Sequence, residues 1–441
     1  MNACSSLAAG TVREAAIAAR SAADRLAALR GADRDGALTA IADALTDHAE
    51  YILSANRRDV QAATAAGGSE GVLDRLRMDA DQIAALAATV RHVASLPSPI
   101  GEVISGSRLP SGMDVRCERV PLGVIAMIYE GRPNVTVDAA VLCLKSGNAV
   151  LLRGSSVARR TDSALIDVMR GALMGSAVHV DAVQLVPGTT HESARELMSL
   201  RGLVDLLIPR GSRRLIESTV RESVIPVIET GEGNCHLYVD KDADIPMALE
   251  VLLNAKAQRP SVCNAAESLL VHADIAPAFL PPALAALREA GVTVHGDARV
   301  RAYDDTVVPA TDEDWGREYL SLDISAAVVD SMEAAVNHIH RHGSGHTEAI
   351  ITDSQSTARA FAASVDTGIV AVNVSTRLID GAEMGLGSEL GISTQKTHAR
   401  GPMGLAALTT TKYVLTGDGH IRGGSTAAPG LSCDALAGPG D

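Results

Sequence analysis

The feature that most constrains the fold is the alternation of short apolar segments with stretches of helical periodicity over most of the chain. The strand-like segments are Val124–Ile128, Ala149–Leu152, Val183–Val186, Leu203–Ile208, Val224–Ile228, Ser268–Val271, Ala326–Val329, Ala349–Ile351 and Ile369–Val372. This spacing is typical of βαβ units. The sequence therefore predicts an α/β protein with parallel sheets, in one set of units before Cys263 and a second set after it.

Different patterns flank these units. Leu38, Ile41, Leu45 and Ile52 recur at helical spacing, and Asp35 is well placed to cap a helix there. Val115–Val120 and Thr410–Leu415 have the composition of strands, and Gly423–Asp441 is rich in Gly, Pro, Ala and Ser. We therefore expect an α-helical start, two further strands and a disordered tail over residues 423–441.

Composition excludes several classes of function. The chain has 441 residues, 39 basic and 53 acidic side chains, a net charge of −14 and only 2% aromatic residues. Such a chain lacks the positive surface and stacking platforms that nucleic acid requires, and anionic membranes are disfavoured for the same reason. The six cysteines form no C-x-x-C pair, which disfavours a zinc site or a disulfide framework. A reducing cytoplasm is the simplest expectation.

Two common nucleotide-binding motifs are missing. No G-x-G-x-x-G motif occurs, and no Gly-Lys pair is present to form a phosphate-binding P-loop. This argues against a kinase and an ordinary dinucleotide fingerprint. A sheet can still bind a dinucleotide without that motif.

Cys263 is the most informative residue. It lies between a helical stretch and a strand, and the cations Lys256 and Arg259 are close to it in sequence. Nearby positive charge lowers a thiol pKa and favours the nucleophilic thiolate. A buried structural cysteine is the alternative interpretation of the same residue.

Further motifs occur in order along the chain. Those before the cysteine are VPLGVIAMIYEGRPN (120–134), KSGNAVLLRGSS (145–156), IPRGS (208–212) and VIETGEGN (227–234). Those at and after it are NAKAQRPSVCNAAE (254–267), EYL (318–320), GHTEAI (345–350), VNVSTR (372–377) and GISTQKTHARGPMG (391–404). Over about residues 10–420, the chain resembles the aldehyde dehydrogenase superfamily and, within it, the branch that reduces the acyl phosphate of glutamate.

The resemblance implies an aldehyde dehydrogenase-like fold. A Rossmann-type, NADPH-binding domain would comprise residues 1–101 and 122–252, and a catalytic domain with the nucleophilic cysteine residues 253–404. Residues 102–121 and 405–422 would form a small β module for oligomerisation. Because exposed strand edges favour pairing, we expect a homodimer or a tetramer.

The resemblance also implies a reaction. L-Glutamyl 5-phosphate would be reduced to L-glutamate 5-semialdehyde and phosphate through a thioacyl-enzyme on Cys263, the second step of proline biosynthesis. An oxyanion donor is expected as well. The position where relatives carry this amide falls on Glu130 here, so the nearest amide, Asn134, is the candidate, with a turn role as the alternative. Glu229 is expected to position the cofactor or handle a proton, or else to bond to backbone.

The remaining site residues follow from the same resemblance. Arg153, Ser155 and Ser156 lie where relatives contact the adenosine ribose, and the absence of a carboxylate there favours a 2′-phosphate and hence NADPH. Ser212 would donate to the pyrophosphate, and Glu318 would hold the nicotinamide ribose. Arg377 is a candidate for the substrate α-carboxylate. Candidates for the phosphate, each of which is alternatively a surface cation, are Lys256, Arg259, Lys396 and Arg400.

Arg132 is a further cation to which the sequence assigns no target. A group of four histidines is a possible metal site that has to be weighed separately. Of His338, His340, His342 and His346, only His338 and His342 share a helical face, and imidazoles are also favourable at a helix C-terminus. No metal site is expected there.

Two other functions remain open. A hydrolytic aldehyde dehydrogenase using NAD would need no phosphate, whereas a cysteine hydrolase or acyltransferase would need a histidine base and no nicotinamide. Transient contact with a glutamate 5-kinase is expected if the labile acyl phosphate is passed between enzymes.

Overall fold

The computed structural model describes residues 10–422; the tail expected at 423–441 lies outside this range. The α-helices within it are α1 (Val12–Ala27), α2 (Gly31–Asp47), α3 (Ala49–Ala65), α4 (Glu70–Leu76), α5 (Ala80–Ser95), α6 (Asn134–Lys145), α7 (Arg159–Leu173), α8 (His191–Met198), α9 (Arg213–Glu222), α10 (Ile245–Ala257), α11 (Ala276–Glu289), α12 (Ala298–Arg301), α13 (Met332–His342) and α14 (Gln355–Ser364). The strands are β1 (Val103–Arg108), β2 (Asp114–Pro121), β3 (Val124–Tyr129), β4 (Ala149–Arg153), β5 (Val183–Leu185), β6 (Leu206–Arg210), β7 (Cys235–Val239), β8 (Ala266–His272), β9 (Thr293–Gly296), β10 (Val308–Pro309), β11 (Asp323–Val329), β12 (Thr347–Ile351), β13 (Ile369–Val372), β14 (Ile392–Ser393), β15 (Gly401–Pro402) and β16 (Thr409–Thr416).

The first unit is built on a parallel sheet with strand order β5-β4-β3-β6. Every residue of the central strand β3 is buried, which is the expected pattern when helices cover both faces of a parallel sheet. One hydrophobic core joins this sheet to the N-terminal helices and to α6 and α7. Leu390, Met403 and Leu408 belong to the same core although they come late in the chain.

The second unit is a parallel sheet of seven strands, with order β10-β9-β11-β8-β7-β12-β13. Its two faces are covered mainly by α10 and α11 on one side and by α13 and α14 on the other. Because β7 pairs with β8 and β12, this unit begins near residue 235. The boundary expected at 252/253 is therefore too late, and the end expected at 404 is also displaced, since Leu390 and Met403 pack with the first unit.

The third sheet is antiparallel, with order β1-β2-β16. Its strands lie in the two segments expected for the small β module. Val103, Ile104, Tyr413 and Leu415 are exposed on it. Its role in oligomerisation stays a prediction.

Most expected strands are confirmed, but three details differ. Val224–Ile228 contributes only an isolated bridge, between Val227 and Leu207. The sequence missed β7, and it also missed β1, β9 and the two-residue strands β10, β14 and β15. Asp35 lies inside α2 and is not its cap; its carboxylate accepts a hydrogen bond from the buried Lys145 ammonium at 2.5 Å. Within residues 10–422, no helix has the length and apolarity needed to cross a membrane.

Candidate active site

Cys263 lies in the turn between α10 and β8, just before the first residue of this central strand of the second sheet. Of the four cysteines among residues 10–422, Cys117, Cys143 and Cys235 are buried, and Cys263 alone is partly exposed. A nucleophile must be both accessible and held in place. The structure thus favours the nucleophile over the buried structural cysteine.

The backbone around this cysteine is tightly fixed. A Cβ atom at position 233 would lie 1.5 Å from the Cys263 carbonyl oxygen, so only glycine lets the two segments approach this closely. The Cys235 thiol donates to the same carbonyl, with 3.3 Å between Sγ and O. Strand β7 therefore positions the nucleophile turn.

A cavity of about 720 Å³ opens in front of Cys263. The second unit contributes Cys263 and Glu318 to its wall. The first unit contributes, among others, Glu130, Arg132, Ser155, Arg210 and Ser212. The cavity therefore brings the expected nucleophile together with part of the expected cofactor site.

Opposing effects act on the thiol. Burial is the largest and raises the pKa of Cys263, and the carboxyl groups of Glu318 and Glu389 act in the same direction. Arg210 and Arg132 lower it. The largest cationic effects on the thiol therefore come from two arginines of the first unit, and Lys256 and Arg259, which the sequence predicts for this role, are not among the largest causes.

Lys256 has a structural partner. Its side chain is fully buried and its ammonium donates to Glu267 Oε2 at 2.6 Å. The other oxygen of Glu267 accepts the backbone N–H of Leu320 at 3.1 Å. The ammonium is thus not available to a phosphate group, which corrects the sequence prediction for this residue. It supports the segment that carries Glu318.

Arg377 and Arg259, which the sequence predicts for the substrate, lie near the nucleophile turn but do not line the cavity at Cys263. The Arg377 guanidinium donates to Gln258 Oε1 at 2.9 Å and also to Asn264 Oδ1. Burial is the largest cause that lowers the pKa of Arg377, followed by the charge of Arg259, while Cys263 raises it. Both cations are therefore within electrostatic range of the site.

Lys396 and Arg400 are placed elsewhere. Both pair with the exposed carboxylate of Asp366, at 2.9 and 2.8 Å. Neither lines the cavity at Cys263. The structure therefore does not bring these two phosphate candidates to the nucleophile.

Glu229 is clamped by Gln395. Its backbone N–H donates to Gln395 Oε1 at 3.0 Å, and the Gln395 amide donates to the Glu229 carboxylate. The adjacent Thr230 forms a bridge to Ser393. The carboxylate is thus partly exposed but held by a side chain from the other end of the chain.

Asn134 is the first residue of α6 and is exposed. Its amide donates to Asp138 Oδ2 at 3.0 Å. It does not line the cavity. In this conformation its amide is engaged away from Cys263.

A carboxylate is bonded to the start of α9, where the sequence predicts a pyrophosphate. Glu130 Oε2 accepts the Ser212 N–H at 2.8 Å, and the Ser212 hydroxyl lies 3.4 Å from Glu130 Oε1. A helix N-terminus attracts anions, so Glu130 occupies the place where the sequence predicts a phosphate. Glu318, in turn, accepts the Gly233 N–H at 2.8 Å.

The expected adenosine side lies at the end of β4. Arg153 donates to the carbonyls of Thr189 and Thr190, both at 2.9 Å. Ser155 accepts the Gly131 N–H at 3.2 Å, and Ser156 is exposed. Of these three residues, only Ser155 lines the cavity at Cys263.

The histidine cluster is partly assembled. The rings of His338 and His342 have centroids 4.7 Å apart, and burial is the main cause that lowers the pKa of His338 to about 3. Among residues 10–422, no group of three or more His, Cys, Asp or Glu side chains has a metal-binding arrangement.

The sequence did not predict that Arg210 and Glu389 lie near Cys263, and it gave Arg132 no role. Arg210 stands inside the IPRGS segment, which the sequence assigns to pyrophosphate through its serine. The usable signal was its position at the end of an apolar strand, because carboxyl ends of parallel strands line ligand crevices.

Two parallel α/β units sharing a cavity with a partly exposed cysteine define an oxidoreductase of the aldehyde dehydrogenase class. The sequence model of the aldehyde dehydrogenase family matches residues 2–303, and the chain belongs to this family. Enzymes of this family use nicotinamide cofactors.

The similar relatives and the similar solved structure described next are all gamma-glutamyl phosphate reductases. Gamma-glutamyl phosphate reductase of Thermobifida fusca is 61% identical over 411 residues, covering 93% of this chain and 98% of that protein. Gamma-glutamyl phosphate reductase of Kineococcus radiotolerans is 52% identical over 420 residues, covering 93% and 97%. The crystal structure of gamma-glutamyl phosphate reductase from Thermotoga maritima superposes with a TM-score of 0.92 at 42% identity, covering 94% of this chain and 100% of that one.

Proposed function

We propose that this chain reduces L-glutamyl 5-phosphate to L-glutamate 5-semialdehyde and phosphate with NADPH, the second step of proline biosynthesis from glutamate. The observation that carries this proposal is a partly exposed Cys263 that lines one cavity with Arg132 and Arg210 and is influenced by their charges. A thiolate beside two cations suits an anionic, activated acyl substrate. The similarity to gamma-glutamyl phosphate reductases supports the same substrate.

The nucleophilic step uses groups of this chain. The Cys263 thiolate attacks the acyl carbon, a C–S bond forms, and the C–O bond to phosphate breaks with its electron pair leaving on phosphate. An acyl phosphate is already activated, so this departure needs no strong general acid. The backbone N–H of Cys263 is the proposed donor to the oxyanion, and Asn134 would join it only after its amide leaves Asp138.

The thioacyl-enzyme must be protected from water. The Gln395 amide donates to the Glu229 carboxylate, and Glu229 does not line the cavity at Cys263, so no contact places this carboxylate beside the thioester. We assign Glu229 to positioning the cofactor side of the cavity rather than to hydrolysis.

The described residues fit a nicotinamide cofactor. The α9 N-terminus already holds an anionic group, Glu130, which a pyrophosphate would replace. The Nε of Arg153 is buried without a hydrogen-bond partner among the described residues. When bound, the cofactor supplies the hydride that reduces the thioester. Ser212 would hold its pyrophosphate, Glu318 its nicotinamide ribose, and Arg153, Ser155 and Ser156 its 2′-phosphate.

We expect Ser156→Glu to lower kcat/KM with NADPH by about tenfold or more, because like charges brought together cost at least about 1.4 kcal/mol. The same variant should leave kcat/KM with NADH within about twofold. Steady-state kinetics with both cofactors measure this. Thr39→Glu adds the same charge at an exposed position of α2 and serves as the control. Equal losses with both cofactors would contradict the 2′-phosphate assignment.

The glutamate end of the substrate needs a cation for its α-carboxylate. Arg377 is proposed for this role because it lies within electrostatic range of Cys263, and Arg259 is an exposed neighbour that would assist it. In solution we propose a homodimer or tetramer formed through the third sheet, and transient contact with a glutamate 5-kinase. The cytoplasm is the proposed compartment.

The reaction run in reverse tests the function. Purified enzyme receives L-glutamate 5-semialdehyde and NADP, and absorbance reports NADPH with and without inorganic phosphate. The proposal predicts NADPH formation that requires phosphate. Formation without phosphate would favour the hydrolytic aldehyde dehydrogenase, and no signal with NADP or NAD would favour a cysteine hydrolase.

A further inference from the structure

Two arginines lie where neighbouring strands of the first sheet end at the cavity. Arg210 is the last residue of β6, and its register partner Tyr129 is the last residue of β3. The Glu130 N–H donates to the Arg210 carbonyl at 3.1 Å, and Arg132 follows in the same turn. Both arginines line the cavity with Cys263. Carboxyl ends of parallel strands are where α/β sheets place ligands.

These two guanidinium groups lack a counterion. Among residues 10–422, neither forms an ion pair, whereas Arg213 in the same cavity wall pairs with Glu217 and Glu232 at 2.7 and 3.3 Å. Burial and then the charge of Arg210 lower the pKa of Arg132, so the two cations are close enough to repel. Partly buried charge of one sign is costly unless a ligand neutralises it.

Among residues 10–422, no nearby carboxylate forms an ion pair with either guanidinium. Glu130 is bonded to Ser212, and Glu318 is bonded to Gly233. Glu389 feels the charge of Arg210, but burial raises the pKa of Glu389 to about 7, so it is only partly ionised at neutral pH. The two guanidinium groups thus line the cavity with the nucleophile, and no carboxylate of the described residues is bonded to them.

We infer that Arg132 and Arg210 bind the phosphoryl group of the acyl-phosphate substrate beside Cys263. This rests on the proposed function. As the C–S bond to Cys263 forms, the C–O bond breaks and phosphate departs with the electron pair, so its charge increases next to the two cations. Guanidinium groups match phosphate oxygens with paired hydrogen bonds. In the reverse direction, the same pair holds inorganic phosphate for attack on the thioester.

A second phosphate group would enter the same cavity with the cofactor, whose pyrophosphate is proposed to bind at Ser212. The two sources are distinguished by measuring KM for inorganic phosphate and KM for NADP separately in the reverse reaction. We expect Arg132→Ala and Arg210→Ala each to raise the phosphate KM by about tenfold to a hundredfold and to leave the NADP KM within about twofold. Arg213→Ala is the matched control, because its charge is already paired, and should leave the phosphate KM unchanged.

Variants that turn over too slowly for kinetics are assayed for binding. Inorganic phosphate is titrated into NADP-saturated full-length enzyme, followed by calorimetry or ³¹P line broadening, and we expect binding to wild type that weakens at least tenfold in each variant. An unchanged phosphate affinity in both variants overturns the inference, as does a rise in NADP KM alone. If wild-type enzyme forms NADPH without phosphate, the proposed function fails first, and the inference with it; this result is seen before any variant is made.

Discussion

Replacing Cys263 by alanine is expected to lower kcat for the phosphate-dependent reaction by on the order of 10⁴-fold or more, since the covalent route loses its nucleophile. The fold should survive, because the side chain is small, partly exposed and located in a turn. NADPH binding, measured by fluorescence titration, should stay within about threefold of wild type. Cys263→Ala would thus lose turnover while it keeps its affinity for NADPH.

Cys117→Ala is the matched control for this experiment. Cys117 is also a free thiol, but it lies buried in β2 of the third sheet and away from the cavity. Its loss should leave kcat within about twofold. Substantial phosphate-dependent turnover in Cys263→Ala would exclude the thioacyl-enzyme, and loss of NADPH binding would indicate a structural effect instead.

The sequence predicted the secondary structure well where the composition of a single segment determines it. Val124–Ile128 and Ala149–Leu152 are short apolar runs, and each becomes a buried strand of a parallel sheet. Such strands depend on local composition, which a single chain displays directly. Cys263 was predicted partly from its neighbours in sequence and mainly from the resemblance to the family, and its role as the nucleophile stays a prediction.

Features that depend on pairing across the chain were not visible. Strand β7 contains His236, whose backbone N–H donates to Glu348 from the neighbouring strand β12 at 3.2 Å. This buried polar contact hides the apolar pattern of a central strand. Arg132 and Arg210 meet only because β3 and β6 are neighbours in the sheet. Lys396 and Arg400 looked available for phosphate because Asp366, their partner, is distant in sequence.

Lys256→Met is expected to reduce the free energy of unfolding by about 3–5 kcal/mol, because it leaves a buried carboxylate without its cation. The Lys256–Glu267 pair is fully buried, with 2.6 Å between Nζ and Oε2. Methionine keeps an apolar chain of similar length, so loss of charge dominates the change. Urea unfolding measures the effect, and Lys241→Met at an exposed loop position should change stability by less than about 0.5 kcal/mol.

The loss of unfolding free energy in Lys256→Met should depend on pH. Burial raises the pKa of Glu267 to about 7, while the charge of Lys256 lowers it; without that charge the folded-state pKa rises further. A group whose folded pKa is raised stabilises the fold while protonated and loses that contribution as pH increases through the folded pKa. The unfolding free energy of the wild type stops falling above about pH 7, whereas that of the variant continues to fall. The difference between the two therefore increases with pH.

The double variant Lys256→Met, Glu267→Met decides between a structural and a ligand-binding lysine. Replacing both members of a buried ion pair by apolar groups is often neutral, so stability should return to within about 1 kcal/mol of wild type. If Lys256 bound phosphate, the single variant Lys256→Met would instead have a higher KM for phosphate and a nearly unchanged free energy of unfolding. Because Glu267 also accepts the Leu320 N–H beside Glu318, the double variant should regain stability yet bind NADPH more weakly. A structural role for Lys256 alone, with no link to the cofactor side, would leave that affinity unchanged.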